Sequence, residues 1–75
     1  MEIKTEIVFP GELKDKPLIC NLCKNFDVVV NIIEASFSTE IGWAILVIKG
    51  GEEETKKALE FLENNGVKIE NTQLL

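Results

Sequence analysis

Phe26-Asp27-Val28-Val29-Val30-Asn31-Ile32-Ile33-Glu34-Ala35-Ser36-Phe37 is the most β-branched run in the chain, and its composition reads as a strand. A strand of an ordinary two-layer sheet alternates, apolar inward and polar outward. Here Val28, Val30 and Ile32 fall on one parity and Val29 and Ile33 on the other, with one amide side chain, Asn31, among them. Both faces therefore read as apolar, and such a strand asks for cover on both sides. A chain of 75 residues supplies one layer of cover rather than two. The strand is accordingly read as part of a binding or assembly surface.

The length allows a single small domain over residues 1–75. Domains near this size bury only about 60% of the surface their unfolded chain exposes, and many lean on disulfides, metal or a partner chain. Cys20 and Cys23 are too few for a disulfide framework and too close to close a useful loop. A partner chain is the remaining support. The net charge is −5, and the chain contains neither Arg nor His. Phosphate recognition needs clustered positive charge and bidentate Arg contacts, so nucleic acid is not an expected partner. There is no apolar run of about 18 residues and no basic-then-apolar N-terminus. The expectation is a cytoplasmic chain that inserts in no membrane.

Without His the chain lacks the commonest general base near neutral pH and any His-containing triad. It has no phosphate-cradling glycine loop, and its carboxylates, lysines and thiols form no evident constellation. We therefore expect no catalytic residues, no metal site and no cofactor.

Working outward, Glu2 to Phe9 alternates, with Ile3, Thr5, Ile7 and Phe9 on one side and Glu2, Lys4 and Glu6 on the other. Pro10-Gly11 ends this half-buried strand, and Glu12 to Lys16 is a polar connection. Pro17 suits the first turn of a short helix reaching Asn25, with Asp15 or Lys16 as its cap. Ile19, Leu22, Cys23 and Phe26 form its apolar stripe. After the central strand, Ser38 to Gly42 is a turn and Trp43 to Lys49 a further strand, again apolar on both parities. Gly50-Gly51 breaks it. Glu52, Glu53 and Glu54 fill the first turn of a second helix, where carboxylates meet the positive end of the dipole. Thr55, Ala58, Leu59 and Leu62 give that helix its stripe, and Asn65-Gly66 stops it. Val67 to Thr72 alternates as a last strand, and Gln73-Leu74-Leu75 is a tail.

The order is strand, helix, strand, strand, helix, strand, with short connections that fit right-handed crossovers. The predicted fold is α+β, a ferredoxin-like βαββαβ two-layer sandwich. An antiparallel four-stranded sheet carries two helices on one face. Its open face is expected to be apolar along the second and third strands.

With these elements placed, the chain resembles the NIL domain family, which is named for an Asn-Ile-Leu signature in the second strand. Asn31-Ile32-Ile33 stands at that position, with Ile in place of Leu. Phe9, Pro17-Leu18-Ile19, Phe26 with Val28, Gly50 and the closing Gly66-Val67-Lys68-Ile69-Glu70 match as well. Members of the family form the C-terminal domain of the ATPase subunit of methionine-importing transporters. There, paired domains bind methionine and inhibit transport. Others are fused to iron–sulfur ferredoxin domains, and Gly42-Trp43 is closer to that group. The resemblance implies L-methionine or a related sulfur amino acid as ligand, with Asn31 at the sensing position. This chain carries neither an ATPase nor four-cysteine runs. Its output would act through a separate transporter or ferredoxin-type polypeptide.

The candidate ligand-binding residues are Val30, Asn31, Ile32, Ile33 and Trp43. The Asn31 amide offers a donor and an acceptor to an amino-acid head group; alternatively it satisfies a neighbouring backbone group or a bulge. Trp43 lines a pocket or interface, or simply packs on the sheet. Cys20 and Cys23 read as packing residues, since no further Cys or His completes a ligand set. The apolar pairs Val28/Val29 and Leu46/Val47 form either a homodimer surface through the second and third strands or a crevice closed by Leu74 and Leu75; the homodimer is the favoured reading.

Overall fold

The computed structural model describes residues 1–13 and 15–75. Alternation puts Ile3, Thr5, Ile7 and Phe9 on the buried side of β1 (Glu2–Pro10), as expected. The chain then passes through a 3-10 turn (Gly11–Leu13) to α1 (Leu18–Asn25), β2 (Val28–Phe37), β3 (Ile41–Gly50), α2 (Glu52–Asn64) and β4 (Lys68–Leu74). The four strands make one antiparallel sheet in the order β2-β3-β1-β4. That order is what two right-handed crossovers produce, and it is the predicted ferredoxin-like arrangement. Among the described residues, no helix is long and apolar enough to cross a membrane.

The predicted polar connection after β1 holds a core residue. Leu13 is buried in the main cluster because the 3-10 turn swings it back under the helices; Lys14, within the same connection, lies outside the described residues. Pro17 occupies the N-cap of α1 itself, so neither Asp15 nor Lys16 caps the helix. The Asn21 N–H donates to the Pro17 carbonyl at 2.9 Å. Leu18 and Leu22, four apart, supply the buried face, with Ile19 and Phe26 partly buried beside it. Cys23 leaves the predicted stripe. One residue past Leu22 is a rotation of about 100°, and both Cys20 and Cys23 are exposed.

Glu52, Glu53 and Glu54 open α2. Lys56 pairs with Glu52 at 3.2 Å, and Lys57 with Glu53 at 3.5 Å and Glu54 at 3.7 Å. Pairs this exposed are worth a few tenths of a kcal/mol each. The Glu54 carboxylate also accepts the Asp27 N–H at 3.0 Å, tying α2 to the junction of α1 and β2. At the far end the Gly66 N–H donates to Glu63 and the Val67 N–H to Leu62, both at 3.0 Å, around Gly66 at φ +93°. This double closure needs a left-handed residue, which glycine adopts without a Cβ clash. Val67 is buried directly after it.

The core lies between the helices and the centre of the sheet. Leu22, Leu46, Ile48, Ala58 and Leu62 have no exposed surface. At the β1–β4 seam, buried Thr5 donates to the Asn71 carbonyl at 3.3 Å and lies 2.9 Å from the Thr72 hydroxyl. β4 extends past the predicted Thr72 to Leu74, and the Leu75 N–H donates to the Glu2 carbonyl at 2.8 Å. Leu74 and Leu75 stay exposed at the sheet edge opposite β2. They therefore close no crevice over β2 and β3.

Leu22→Ala should lower unfolding stability by about 2–5 kcal/mol, the range for emptying a packed leucine site. Gly66→Ala should cost about 1 kcal/mol through its backbone alone. Urea unfolding measures both, and an unchanged midpoint for either variant contradicts the packing described.

Candidate functional site

β2 is an edge strand paired only with β3. Val28, Val30 and Ile32 stand opposite Gly50, Ile48 and Leu46, so they share the helix-side face with buried residues. Between Ile32 and Glu34 the register shifts, and Ile33 is the extra residue of a β-bulge. Beyond it the phase is reversed. Ala35 and Phe37 oppose Ala44 and Gly42 on the helix side, while Glu34 and Ser36 oppose Ile45 and Trp43 on the open face.

The bulge corrects the sequence reading of this strand. Apolar residues on both parities arise largely from a one-residue slip of phase, not from two apolar faces. On the open face β2 presents Val29, Asn31, Glu34 and Ser36, of which only Val29 is apolar. The apolar stripe there belongs to β3, through Trp43, Ile45 and Val47, with Val8 of β1 beside it. The rest of the greasy surface of β2 lies elsewhere. α1 spans eight residues and ends its cover early, so Ile32, Ile33 and Phe37 are each more than half exposed, at 51%, 53% and 56%.

The five candidate residues are thereby separated. Asn31 and Trp43 face the open side, Asn31 opposite Val47 and Trp43 opposite Ser36. Val30 and Ile32 face the helix side, and Ile33 sits at the bulge. Trp43 helps to line an open-face depression of about 250 Å³, with Val8 and Ile45 as its apolar wall and Glu6 and Glu70 as its polar rim. Glu70 reaches the rim because it is itself the extra residue of a second irregularity, between β1 and β4. Asn31 is not part of that lining. It lies on the same face, beside the stripe, with an exposed side chain. The depression is smaller than the ~300–1,000 Å³ typical of ligand pockets.

A groove of about 240 Å³ opens on the helix side. Phe9, Leu13, Pro17, Leu18, Ile19 and Phe37 give it apolar walls, and Cys20 and Lys16 stand at its polar margin. The Phe37 ring lies across Gly42 and meets Phe9 at a centroid distance of 5.4 Å. Sequence reasoning missed this groove. Its signal was present in Glu34-Ala35-Ser36-Phe37, which alternates in the opposite phase to Val28-Val29-Val30-Asn31 and so announces a bulge between them.

Comparison with known proteins adds the family context. The NIL domain model matches residues 5–71. The chain is 38% identical over 68 residues to the methionine import ATP-binding protein MetN of Helicobacter pylori (strain ATCC 700392 / 26695), covering 85% of this chain and 21% of that protein. It is 33% identical over 69 residues to the protein of the same name from Bacillus subtilis (strain 168), covering 87% of this chain and 20% of the relative. The chain thus spans about a fifth of the length of these curated relatives. Among solved structures, the C-terminal domain of an ABC transporter ATP-binding protein from Enterococcus faecalis superposes with a TM-score of 0.77 at 24% identity, over 89% of this chain and 79% of that one. At that identity the likeness speaks for the fold.

Gly42 has no room for a side chain, since a Cβ would enter the Phe37 ring. Gly42→Ala should displace Phe37, open the groove and cost about 1–3 kcal/mol. Equilibrium unfolding measures the cost, and the ring-current shifts of the Phe9 protons report the displacement. Unchanged shifts would place Phe37 elsewhere.

Proposed function

The chain belongs to the NIL domain family, and from that membership we propose that it is a small-molecule-binding regulatory module without catalytic activity. It senses methionine or a related sulfur amino acid where two copies meet. The observation that carries this reading is the unpaired, half-apolar β2 edge, with Asn31 at the signature position beside the Trp43 stripe. An exposed edge offers a row of free N–H and C=O groups that a second copy satisfies by strand addition. Ile32 and Ile33 supply the apolar rim of that contact, and Val30 backs it from the core. A second copy that also wraps from this edge onto the open face turns the depression between β1, β3 and β4 into a closed site.

The chemistry of the ligand follows from the open face, where Asn31 and Val47 lie outside the depression and Trp43 and Ile45 within its lining. Asn31 orients the amino or carboxylate group, because its amide both donates and accepts. Trp43, Ile45 and Val47 hold an apolar side chain, and a thioether against an aromatic ring is a favourable contact of about 0.3–1.5 kcal/mol. Ligand bound at the joint favours the paired arrangement over the separated one, and the regulatory output is that shift of population. The relatives named as methionine import proteins support the choice of solute. They also favour a transporter ATPase as recipient of the signal, with a ferredoxin-type polypeptide as the other candidate. A cytoplasmic setting accords with this role.

L-Methionine should quench or shift the emission of Trp43, the single tryptophan, in a saturable way. Asn31→Ala should weaken that binding by about tenfold or more, the equivalent of one polar anchor. Silence of the unaltered chain towards methionine and its sulfur analogues ends the sensing proposal. Light scattering at low micromolar concentration tests the pairing separately: a dimer is expected, and Ile33→Lys should dissociate it. A dimer that ignores every amino acid would instead support a ligand-free docking subunit.

A further inference from the structure

Cys20 and Cys23 have no part in the core or in the proposed sensing surface. Free cysteine is among the most often buried residue types, yet both cysteines here are exposed. Leu18 and Leu22 already fill the inward face of α1, so packing does not account for either cysteine. The two are three residues apart on one helix. That spacing sets their Cβ atoms about 5–6 Å apart on one side of the helix.

From Cβ atoms at that separation the two sulfurs, each one bond further out, can turn to within about 4.6 Å of one another, the span of two metal–sulfur bonds of about 2.3 Å in line. Among the described residues, no three His, Cys, Asp or Glu side chains lie together in a metal-binding group. An ion that demands four protein ligands, as structural zinc does, is therefore not satisfied among these residues. Thiolates select soft cations, and cuprous copper is the soft cation that two of them satisfy. The surroundings favour the charge balance. Two thiolates and one monovalent cation leave a single negative charge. Lys16 lines the groove beside Cys20, and Lys24 follows Cys20 by one helical turn on the exposed side. On the other flank, Ile19, Pro17 and Phe37 line the open groove with Cys20 and give it an apolar side.

We propose that Cys20 and Cys23 form a two-thiolate site for a soft monovalent d10 cation, cuprous copper being the ion of that class. On binding, each S–H bond breaks and its proton passes to solvent, while each sulfur lone pair forms one bond to the ion. Copper stays cuprous throughout, and no electron is transferred. The site needs neither an amino-acid ligand nor a second copy, so it stands apart from the sensing proposal.

The test is an anaerobic titration of the reduced chain with cuprous copper against a chromogenic cuprous chelator, with a parallel zinc arm. One copper per chain should bind, with a thiolate-to-copper absorption band in the ultraviolet. Cys20→Ser and Cys23→Ser should each raise the dissociation constant by about a hundredfold or more, at or beyond the upper end of what losing an outer-shell contact costs. Both positions are exposed, so circular dichroism of these variants should match the parent. Retention of copper by the doubly substituted chain overturns the proposal. So does a single variant that binds as the parent does, a stoichiometry of one copper per two chains, or tighter binding of zinc than of copper.

Discussion

Leu22 of α1, Leu62 of α2, and Leu46 and Ile48 of β3 belong to one fully buried cluster, and the layout of the molecule follows from bringing them together. Two helices must sit on one side of the sheet to exclude water from β3 and β1. Right-handed crossovers allow this only if β1 and β3 are central and β2 and β4 are the margins. The most β-branched strand is thereby sent to an edge. A one-layer roof of eight and thirteen helical residues reaches the start of β2 and not its end. The exposed aliphatics on β2 are thus a consequence of the cover running out.

The bulge at Ile33 gives that edge its character. Without it Glu34 and Ser36 would lie on the helix side, and Ala35 and Phe37 on the open face. The extra residue keeps Phe37 over Gly42 and against Phe9, where it walls the groove beside α1. It also leaves Asn31 and Glu34 as consecutive outward side chains flanking the β3 stripe. One inserted residue therefore separates an apolar groove on one side of the sheet from a mixed surface on the other. The two differ in chemistry.

Much of the fold was legible because local and tertiary demands agree. The alternation of β1, the Thr55-Ala58-Leu62 stripe of α2 and the Gly66 stop are all where periodicity and backbone sterics put them. The predicted features that failed did so where one residue breaks the period. Ile33 turned a phase slip into the semblance of two apolar faces. Leu13 looked like part of a polar connection because a 3-10 turn has no stripe to reveal its inward side chain. Cys23 was drawn into the helical stripe because Leu18, the true partner of Leu22, lies directly after Pro17, where the start of the helix was ambiguous. The candidate site was legible as a neighbourhood but not as a surface. Val30, Asn31, Ile32, Ile33 and Trp43 are near one another, yet the pleat and the bulge distribute them over two faces.

A long, greasy, unpaired margin is also the usual starting point for open-ended stacking of chains into fibrils. Such growth needs a straight ladder that repeats from molecule to molecule. The kink at Ile33 interrupts that ladder midway along β2. A neighbour can match one segment or the other, or meet a second kink about a two-fold axis, but an endless regular ribbon cannot pass through. The same irregularity that redistributes the side chains of this edge thus makes it a poor template for polymerisation.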